Sequence, residues 1–430
     1  MQESLRVLVI AYYFPPMGFS GVQRVLGFVR YLPSSGWLPT VLTVTPRAYL
    51  AHDESLLDAI PPEVEVIRTD SPDPLRWLSR KEARTLDFGS ERWRKWLQRW
   101  SQLVFIPDNK IGWMRPALQA GRKLLSEKPF DLIFSSAPPY TAHLIGMRLS
   151  QEFDLPLITD FRDPWVANPR HFYPTLLHRR RHEKLERKVV QHSDFCTVIN
   201  RQIKETLLPH FHRAEGFHRV HIIPHGYDPA DRLDEPLVEE GERLSLLYTG
   251  SFYDAQQPDV FLQGVRHFLD RNPGWEHRLE LHFAGLMPPE KRMLIDALGL
   301  TAMVKLYGYL PHREVVRLLR SASVLWLTVG RQRGEELISL SKLGEYIGTG
   351  KPILGLVPEG AARELLQRYR AAYLCEPDAP EEVARMLEQI TQDWERGTFP
   401  EPEPMVIRTH SREYLAGQLA GVFSRVLTAL

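Results

Sequence analysis

The chain has 430 residues, of which 43% are hydrophobic and 25% charged, and its 54 basic and 53 acidic residues leave a net charge of +1. This composition excludes an intrinsically disordered chain, and the balance of charges argues against a nucleic-acid partner. The two cysteines exclude a disulfide scaffold and a cysteine-built zinc site. Cys196 and Cys375 stand in apolar, strand-like surroundings, which predicts two buried thiols in a reducing compartment.

No apolar run approaches the ~20 residues that a membrane-spanning helix requires. The apolar start, Val7 to Phe14, ends in Pro15-Pro16 and lacks a small-residue cleavage site, so it is interpreted as a buried first strand rather than a signal peptide. The expected location is the cytoplasm, or the inner face of the membrane as a peripheral protein.

Short apolar runs rich in β-branched residues alternate with longer amphipathic stretches, and this alternation predicts parallel sheets covered by helices on both faces. The stretches at Val22–Leu32, Pro258–Asp270, Pro288–Leu298 and Glu314–Ser321 are predicted helices. The predicted strands are Val7–Ala11, Thr40–Val44, Val64–Arg68, Leu132–Ser135, Leu157–Asp160, Phe195–Ile199, Val220–Ile223, Leu244–Tyr248, Leu279–Ala284, Val304–Tyr307, Val324–Leu327, Pro352–Leu356 and Tyr373–Cys375.

A charged, proline-containing linker at residues 228–243 divides these elements into two groups. The expected fold class is α/β, with two doubly wound Rossmann-like domains facing a cleft. The first domain spans residues 1–227 and carries a basic, tryptophan-rich insertion at about 71–115. The second spans residues 244–407, and a C-terminal helix at residues 408–430 is expected to pack back on the first domain. Ligands of such sheets bind at the carboxyl ends of the strands.

The stretch Ser339-Leu-Ser-Lys-Leu-Gly-Glu-Tyr-Ile-Gly-Thr-Gly-Lys-Pro-Ile predicts a helix that ends at Gly350. Lys342 and Glu345 are three residues apart and therefore share a face near the helix N-terminus. That terminus attracts anions, Lys342 adds a full charge, and a carboxylate one turn later can accept hydrogen bonds from vicinal hydroxyls. Phosphate plus ribose suits this arrangement, although spacing alone favours a surface ion pair.

Two segments of the first domain follow predicted strands. The loop Gly18-Phe-Ser-Gly21 lets backbone N–H groups approach a ligand, or is a plain tight turn, and its spacing disfavours a nicotinamide cofactor. Thr159-Asp-Phe-Arg-Asp-Pro-Trp lies at the carboxyl end of its strand, where a self-satisfied structural cluster and a functional one are equally consistent with the residues. Because arginine stays protonated, Arg162 is assigned an electrostatic role, and Asp163 the orientation of an acceptor hydroxyl.

Sixteen histidines raise the question of a metal site. His178-Arg-Arg-Arg-His182 has the spacing of one helix face but lacks a glutamate, and its arginines would repel a cation. No Asp-x-Asp occurs, so the predicted site contains no metal. His225, in Ile223-Pro-His-Gly-Tyr-Asp, is kept as a residue of the cleft.

The segment Arg76–Trp100 holds eight basic residues against three acidic ones, and Trp93, Trp96 and Trp100 recur at helical spacing. An aromatic stripe of this kind is typical of a helix packed in a core. Tryptophan beside many cations is equally typical of an interfacial helix, and this reading predicts docking on an anionic membrane.

These motifs, taken in order, resemble those of the family 4 glycosyltransferases, which have the two-domain GT-B fold. The resemblance rests on Lys342-Leu-Gly-Glu-Tyr-Ile-Gly-Thr-Gly-Lys-Pro-Ile, on the first strand with its loop, on Ile223-Pro-His-Gly-Tyr-Asp, and on Leu247-Tyr-Thr-Gly-Ser with Phe283-Ala-Gly and Gly308-Tyr-Leu-Pro. Asp160-Phe-Arg-Asp-Pro-Trp resembles a bacterial subset that builds cell-surface polysaccharides. The likeness covers most of the chain apart from roughly residues 71–115.

The resemblance implies that Glu345 holds the ribose of a nucleotide and that Lys342 lies near its diphosphate. The family commonly has a second glutamate eight positions earlier, where this chain has Leu337; either Glu336 replaces it or the donor sugar is held differently. The implied catalytic residues are Asp163, Arg162 and Lys342. The remaining implied donor-binding residues are Ser341, Leu343, Gly250, Ser251 and Glu336, and those of the cleft are Gly18, Gly21 and His225.

The resemblance also implies the reaction: a sugar moves from a nucleoside-diphosphate donor to a hydroxyl of a saccharide or lipid-linked saccharide, with retention of configuration. No cofactor beyond the donor and no metal is expected. Two alternatives remain open, a nucleotide-sugar epimerase of the same fold and a saccharide-binding scaffold without catalysis. The absence of a glutamate at position 337 favours the scaffold.

Overall fold

A computed structural model describes residues 4–18, 20–46, 52–72, 100–211, 216–231, 243–252 and 254–429. The chain divides into two units, each with its own sheet and core. The first unit contains Met1–Pro224 and Arg412–Leu430, and the second contains His225–Ser411.

The sheet of the first unit has the strand order β3-β2-β1-β4-β5-β6-β7, and neighbouring strands are parallel. The order reverses between β1 and β4, as in a doubly wound fold. The strands are β1 Leu5–Ile10, β2 Trp37–Val44, β3 Glu65–Thr69, β4 Leu132–Ala137, β5 Leu157–Phe161, β6 Phe195–Val198 and β7 Val220–Ile222. The helices are α1 Ser20–Tyr31, α2 Met114–Glu127, α3 Thr141–Phe153, α4 Leu176–His192, α5 Arg201–Leu207 and α6 Gly216–Arg219, and residues 100–104 are also helical.

The sheet of the second unit has the order β10-β9-β8-β11-β12-β13, again with parallel neighbours. Here the order reverses between β8 and β11. The strands are β8 Leu244–Thr249, β9 Leu279–Ala284, β10 Val304–Gly308, β11 Val324–Thr328, β12 Ile353–Leu356 and β13 Ala372–Cys375. The helices are α7 Asp259–Arg271, α8 Pro289–Ala297, α9 His312–Ser321, α10 Ser341–Thr349, α11 Ala361–Tyr369, α12 Pro380–Arg396 and α13 Pro404–Thr409.

The last helix, α14 (Arg412–Ala429), packs against α1 in the first unit. The Trp37 and Phe423 rings lie 5.0 Å apart in an edge-to-face arrangement. A β-carbon on Gly27 would lie 2.6 Å from Cδ of Arg412, so the absence of a side chain there permits the close approach of the two helices. Residues distant in sequence therefore complete the core of the first unit.

The predicted fold class is confirmed, because every predicted strand is present to within three residues at either end. The central strands are buried on both faces: all six residues of β4 and all five of β5 are inaccessible, including the polar residues Ser135, Ser136, Thr159 and Asp160. Cys196 and Cys375 are buried free thiols, as predicted, and burial raises their pKa to about 11 and about 12. Most of the predicted linker, residues 232–242, and residues 76–99 of the basic segment lie outside the described residues.

Candidate active site

The candidate donor site lies at the carboxyl edge of the second sheet. The strands β8 and β11 are neighbours at the point where the strand order reverses, so the loops that follow them diverge and leave a crevice. The loop after β8 begins with Gly250 and Ser251, and the loop after β11 leads to α10. Sequence reasoning placed its donor-binding residues on these segments.

Helix α10 presents two faces to different surroundings. Leu343, Tyr346 and Ile347 are buried in the core, whereas Lys342 and Glu345 are partly exposed, as is Ser341 at the first position. The residue before the helix is Leu340, which offers no side-chain cap to the first N–H groups. The helix N-terminus therefore supports an anion-binding role for the exposed face, while the side chain of Leu343 belongs to the core.

Lys342 lies across the aromatic ring of Tyr248, with its Nζ 3.7 Å from the ring centroid. Burial lowers the pKa of Lys342 to about 7, and the nearby Glu345 carboxylate opposes this shift. Attraction between the ammonium group and the face of the ring also favours the charged form. An ammonium group that has lost part of its hydration gains from a bound anion.

Gly250 makes room for this lysine. It has a φ of 103°, a conformation that favours glycine, and a β-carbon there would lie 3.0 Å from Nζ of Lys342. The side chain of Lys342 thus passes directly beneath the exposed loop that follows β8.

Tyr346 fixes α10 to the end of β8, and sequence reasoning missed it. Its hydroxyl accepts a hydrogen bond from the backbone N–H of Thr249 at 2.9 Å and lies 3.3 Å from the Thr249 hydroxyl. Burial raises the pKa of Tyr346 well above its usual value. The available signal was its i,i+4 spacing from Lys342, which places the tyrosine next to the lysine on the helix surface.

Two glycines of α10 allow the loop containing His225 to contact the helix. A β-carbon on Gly344 would lie 2.9 Å from Cα of Gly226, and one on Gly348 would lie 2.2 Å from the Tyr227 ring. His225 itself is partly buried beside Gly344. The predicted cleft residue is thereby placed against the helix that carries Lys342 and Glu345.

The acidic residues before α10 have different surroundings. Glu335 accepts hydrogen bonds from the Arg331 side chain at 2.9 Å and from the backbone N–H of Gln332 at 2.6 Å, so it holds its own loop together. Glu336 is exposed, and its backbone packs so closely on Gly360 that a β-carbon on that glycine would lie 2.5 Å from Cα of Glu336. Of the two carboxylates, Glu336 is the one open to a ligand.

The first unit contains a buried ion pair at the carboxyl end of its sheet. Arg24 on α1 donates to both carboxylate oxygens of Asp160, at 2.8 Å and 3.0 Å. Ser136 and Thr197 donate to the same carboxylate at 2.8 Å and 2.7 Å. Burial disfavours the charged form of Asp160, but Arg24 and the hydroxyl donors outweigh it and lower its pKa. The Asp160 carboxylate thus has a hydrogen-bond donor for each of its oxygens and joins α1 to three strands of the sheet. Sequence reasoning did not identify Arg24 as its partner.

Arg162 is buried and donates to three backbone carbonyl groups, those of Ala137, Gly21 and Pro138. It therefore ties the loop after β4 to the first turn of α1. Gly18 is buried in the loop after β1. These contacts bring Gly21, but not Gly18, against the Arg162 guanidinium group.

Asp163 follows Arg162 and is partly exposed. Within the described part of the chain, its carboxylate accepts no hydrogen bond. Burial raises the pKa of the neighbouring Tyr140 well above its usual value, with a contribution from the negative charge of Asp163. Asp163 is thus a carboxylate with acceptor capacity to spare at the carboxyl edge of the sheet.

The histidines that raised the question of a metal make hydrogen bonds within the protein. Trp165 donates to Nδ1 of His182 at 3.0 Å, and His178 contacts the Thr175 hydroxyl and the carbonyl of Leu103. Among the residues that the structure describes, no group of three His, Cys, Asp or Glu side chains is arranged to hold a metal ion. No helix in the described ranges is long and apolar enough to cross a membrane.

Comparison with known proteins defines the class. Residues 21–226 match the family model described as a glycosyl transferase 4-like domain, and residues 230–401 match that of the glycosyl transferases group 1. The protein is therefore an enzyme, a glycosyltransferase of the GT-B fold. More particularly, it belongs to the family-4-like glycosyltransferases that the motifs of the sequence indicated. No curated protein matches the chain.

Solved structures share the fold at low sequence identity. Sucrose-phosphate synthase from Thermosynechococcus elongatus is 16% identical with a TM-score of 0.65, covering 99% of this chain and 100% of its own. HepE from Anabaena, solved with UDP and glucose, is 14% identical with a TM-score of 0.64, covering 98% and 100%. The lipopolysaccharide outer core galactosyltransferase WaaB is 13% identical with a TM-score of 0.59, also covering 98% and 100%.

Proposed function

We propose that this enzyme transfers a sugar from a nucleoside-diphosphate donor to a hydroxyl group of a saccharide or of a lipid-linked saccharide. The observation that carries the proposal is the position of Lys342, the second residue of α10, whose ammonium group lies on the Tyr248 ring. A cation and a helix N-terminus together suit a diphosphate. HepE, a similar structure, was solved with UDP.

In this proposal the donor lies along the exposed face of α10. Lys342 and the first N–H groups of the helix, those of Ser341 and Lys342, contact the diphosphate, whereas the N–H of Leu343 already donates to the carbonyl of Leu340 at 3.1 Å. Glu345, one turn later, accepts hydrogen bonds from the ribose hydroxyls. Gly250 and Ser251 border the phosphates from the loop after β8, and the exposed Glu336 is the carboxylate available to the donor sugar.

The chemical demand of the transfer is stabilisation of the departing diphosphate, on which negative charge develops as the glycosidic bond breaks. The ammonium of Lys342 and the helix dipole meet this demand without a metal ion or another cofactor. The leaving phosphate then accepts the proton of the incoming hydroxyl, and configuration is retained. Asp163 orients that hydroxyl, while Arg162 sets the shape of the acceptor-side loops.

Replacement of the two donor contacts tests the assignment. Lys342→Ala and Glu345→Ala should each weaken binding of a nucleotide sugar by about 1.5–3 kcal/mol, because each removes a hydrogen bond that involves a charged group. Calorimetry measures the affinity, and the exposed Lys123→Ala in the first unit serves as a matched control. Wild-type affinity in both site variants would refute the site.

Analysis of the products separates this proposal from its alternatives. A transferase releases the nucleoside diphosphate and extends an acceptor, an epimerase returns a nucleotide sugar with an altered sugar, and a scaffold leaves the donor unchanged. A screen of nucleotide sugars by thermal shift first identifies the donor, since a ligand that binds only the native state raises the melting temperature.

A further inference from the structure

Large apolar side chains are exposed side by side on one surface of the first unit. Trp100, Leu103 and Val104 occupy one side of the helical residues 100–104, with exposed fractions of 51%, 42% and 64%. Phe172 and the first two residues of α4, Leu176 and Leu177, are also exposed, the latter two by 75% and 58%. These six side chains are called the apolar patch.

Hydrogen bonds hold the two halves of the apolar patch together. The backbone N–H of Phe172 donates to the side-chain oxygen of Gln102 at 3.0 Å. His178, in the first turn of α4, contacts the backbone carbonyl of Leu103 through Nε2 at 3.2 Å. The segment at residues 100–104, Phe172 and the start of α4 therefore lie next to one another.

Helix α4 continues this surface with positive charge. Its buried side contains His182, Glu186, Val189 and Val190. Five of its six exposed basic side chains, all except Arg179, have no hydrogen bond or ion pair within the described residues. These five residues, called the basic face, are Arg180, Arg181, Lys184, Arg187 and Lys188.

The acidic residues of α4 do not offset the basic face. Glu183 pairs with Arg179 at 3.0 Å. Glu186 is buried, where it contacts His210 at 3.1 Å and accepts a hydrogen bond from the backbone N–H of Val166 at 3.2 Å. The exposed side of α4 thus presents uncompensated positive charge directly beside the apolar patch.

We propose that the apolar patch and the basic face together dock this enzyme on an anionic lipid bilayer. Six large exposed apolar side chains on adjoining segments are unusual on a protein that remains in water. Beside a row of cations they have the composition of a surface that inserts apolar groups at the headgroup level and attracts anionic lipids. The long side chains of arginine and lysine reach the phosphate layer from there.

The docking surface adjoins the loop assigned to the acceptor. Phe172 lies in the same segment after β5 as Asp163, and that segment is rigidly packed. Trp165 stacks on Tyr140 with 4.6 Å between ring centroids, and the Tyr173 hydroxyl lies 3.3 Å from the carbonyl oxygen of Trp165. Docking would bring the acceptor-side loop close to the bilayer, which suits a lipid-linked acceptor. The membrane assay itself rests on no part of the proposed function, because it uses no donor and no acceptor.

Vesicle flotation with the full chain tests the proposal. The protein should bind vesicles that contain phosphatidylglycerol and not vesicles of phosphatidylcholine alone, and binding should fall as salt rises from about 50 to 500 mM. Leu176→Ser with Leu177→Ser should lower the partition coefficient at least tenfold, as should conversion of the basic face to glutamine. The matched control, Arg292→Gln with Met293→Ser on the exposed side of α8, should bind as the wild type does.

A fluorophore reports insertion directly. Since Cys196 and Cys375 are buried, a thiol introduced by Leu177→Cys is the accessible one among the described residues and can be labelled selectively. An environment-sensitive dye at position 177 should shift to the blue on anionic vesicles, whereas the same dye introduced by Met293→Cys should not.

Two results would overturn the proposal. One is equal binding of the wild type and both patch variants to anionic vesicles, with each variant folded by circular dichroism. The other is loss of self-association in the leucine variant with no vesicle binding by the wild type, which would make the apolar patch an interface between two copies. Donor binding is measured in parallel on the same variants. Loss of vesicle binding with unchanged donor binding would therefore concern the docking surface alone, and a failure of the docking proposal would not affect the proposed function.

Discussion

The affinity of this enzyme for a nucleotide sugar should depend on pH through Lys342. In the free protein, burial lowers the pKa of this lysine to about 7. A bound diphosphate favours the charged form and raises that pKa again. The complex therefore holds more protons than the free enzyme above pH 7, and binding in that range requires proton uptake.

The direction and the size of the pH dependence of the affinity follow from this proton uptake. Affinity is highest below pH 7, where Lys342 is already charged, and it falls about tenfold for each pH unit above 7. At pH 9 the loss is about 100-fold, or about 2.7 kcal/mol, provided that the diphosphate restores the usual lysine pKa.

Calorimetry in buffers of different ionisation enthalpy measures both the affinity and the number of protons taken up on binding. About half a proton should be taken up per nucleotide sugar bound at pH 7, and about one at pH 9. Lys342→Gln, which cannot titrate, should bind weakly with no proton uptake. A flat profile in the wild type, or the same profile in Lys342→Gln, would refute the assignment of the diphosphate to this lysine.

Three further predictions concern packing, charge and metal. Gly348→Ala should lower the free energy of unfolding in urea by about 1–3 kcal/mol, because its β-carbon would overlap the Tyr227 ring. The control Gly421→Ala, which has open space around it, should leave that free energy unchanged or raise it. Equal effects of the two substitutions would contradict the packing account. Asp160→Asn should cost about 3–5 kcal/mol by leaving a buried arginine unpaired, while Asp163→Asn should keep the stability and lose transfer activity; the reverse pattern would exchange their roles. Transfer should survive EDTA, and restoration of a lost activity by magnesium or manganese would contradict leaving-group stabilisation by Lys342.

The candidate site was predicted in part. The sequence located α10, the loop at Gly250 and the loop at His225, because glycines, a helix stop and a charged pair at fixed spacing are local signals. It could not show that Lys342 lies on Tyr248, since that contact joins segments almost a hundred residues apart. The sequence likewise could not show that Arg162 donates hydrogen bonds to backbone carbonyl groups. Nor could it show that Glu335 accepts hydrogen bonds that hold its own loop together.

The sequence was sufficient to predict the two sheets, because strands buried on both faces are mostly apolar and this pattern can be recognised without knowing their neighbours. Which charges and apolar groups face water was decided only by the tertiary structure. Arg24 and Asp160 form a buried pair across 136 residues, and Leu176 and Leu177 begin a helix yet remain exposed. Periodicity identifies the faces of an element, but burial depends on which distant segment packs against each face.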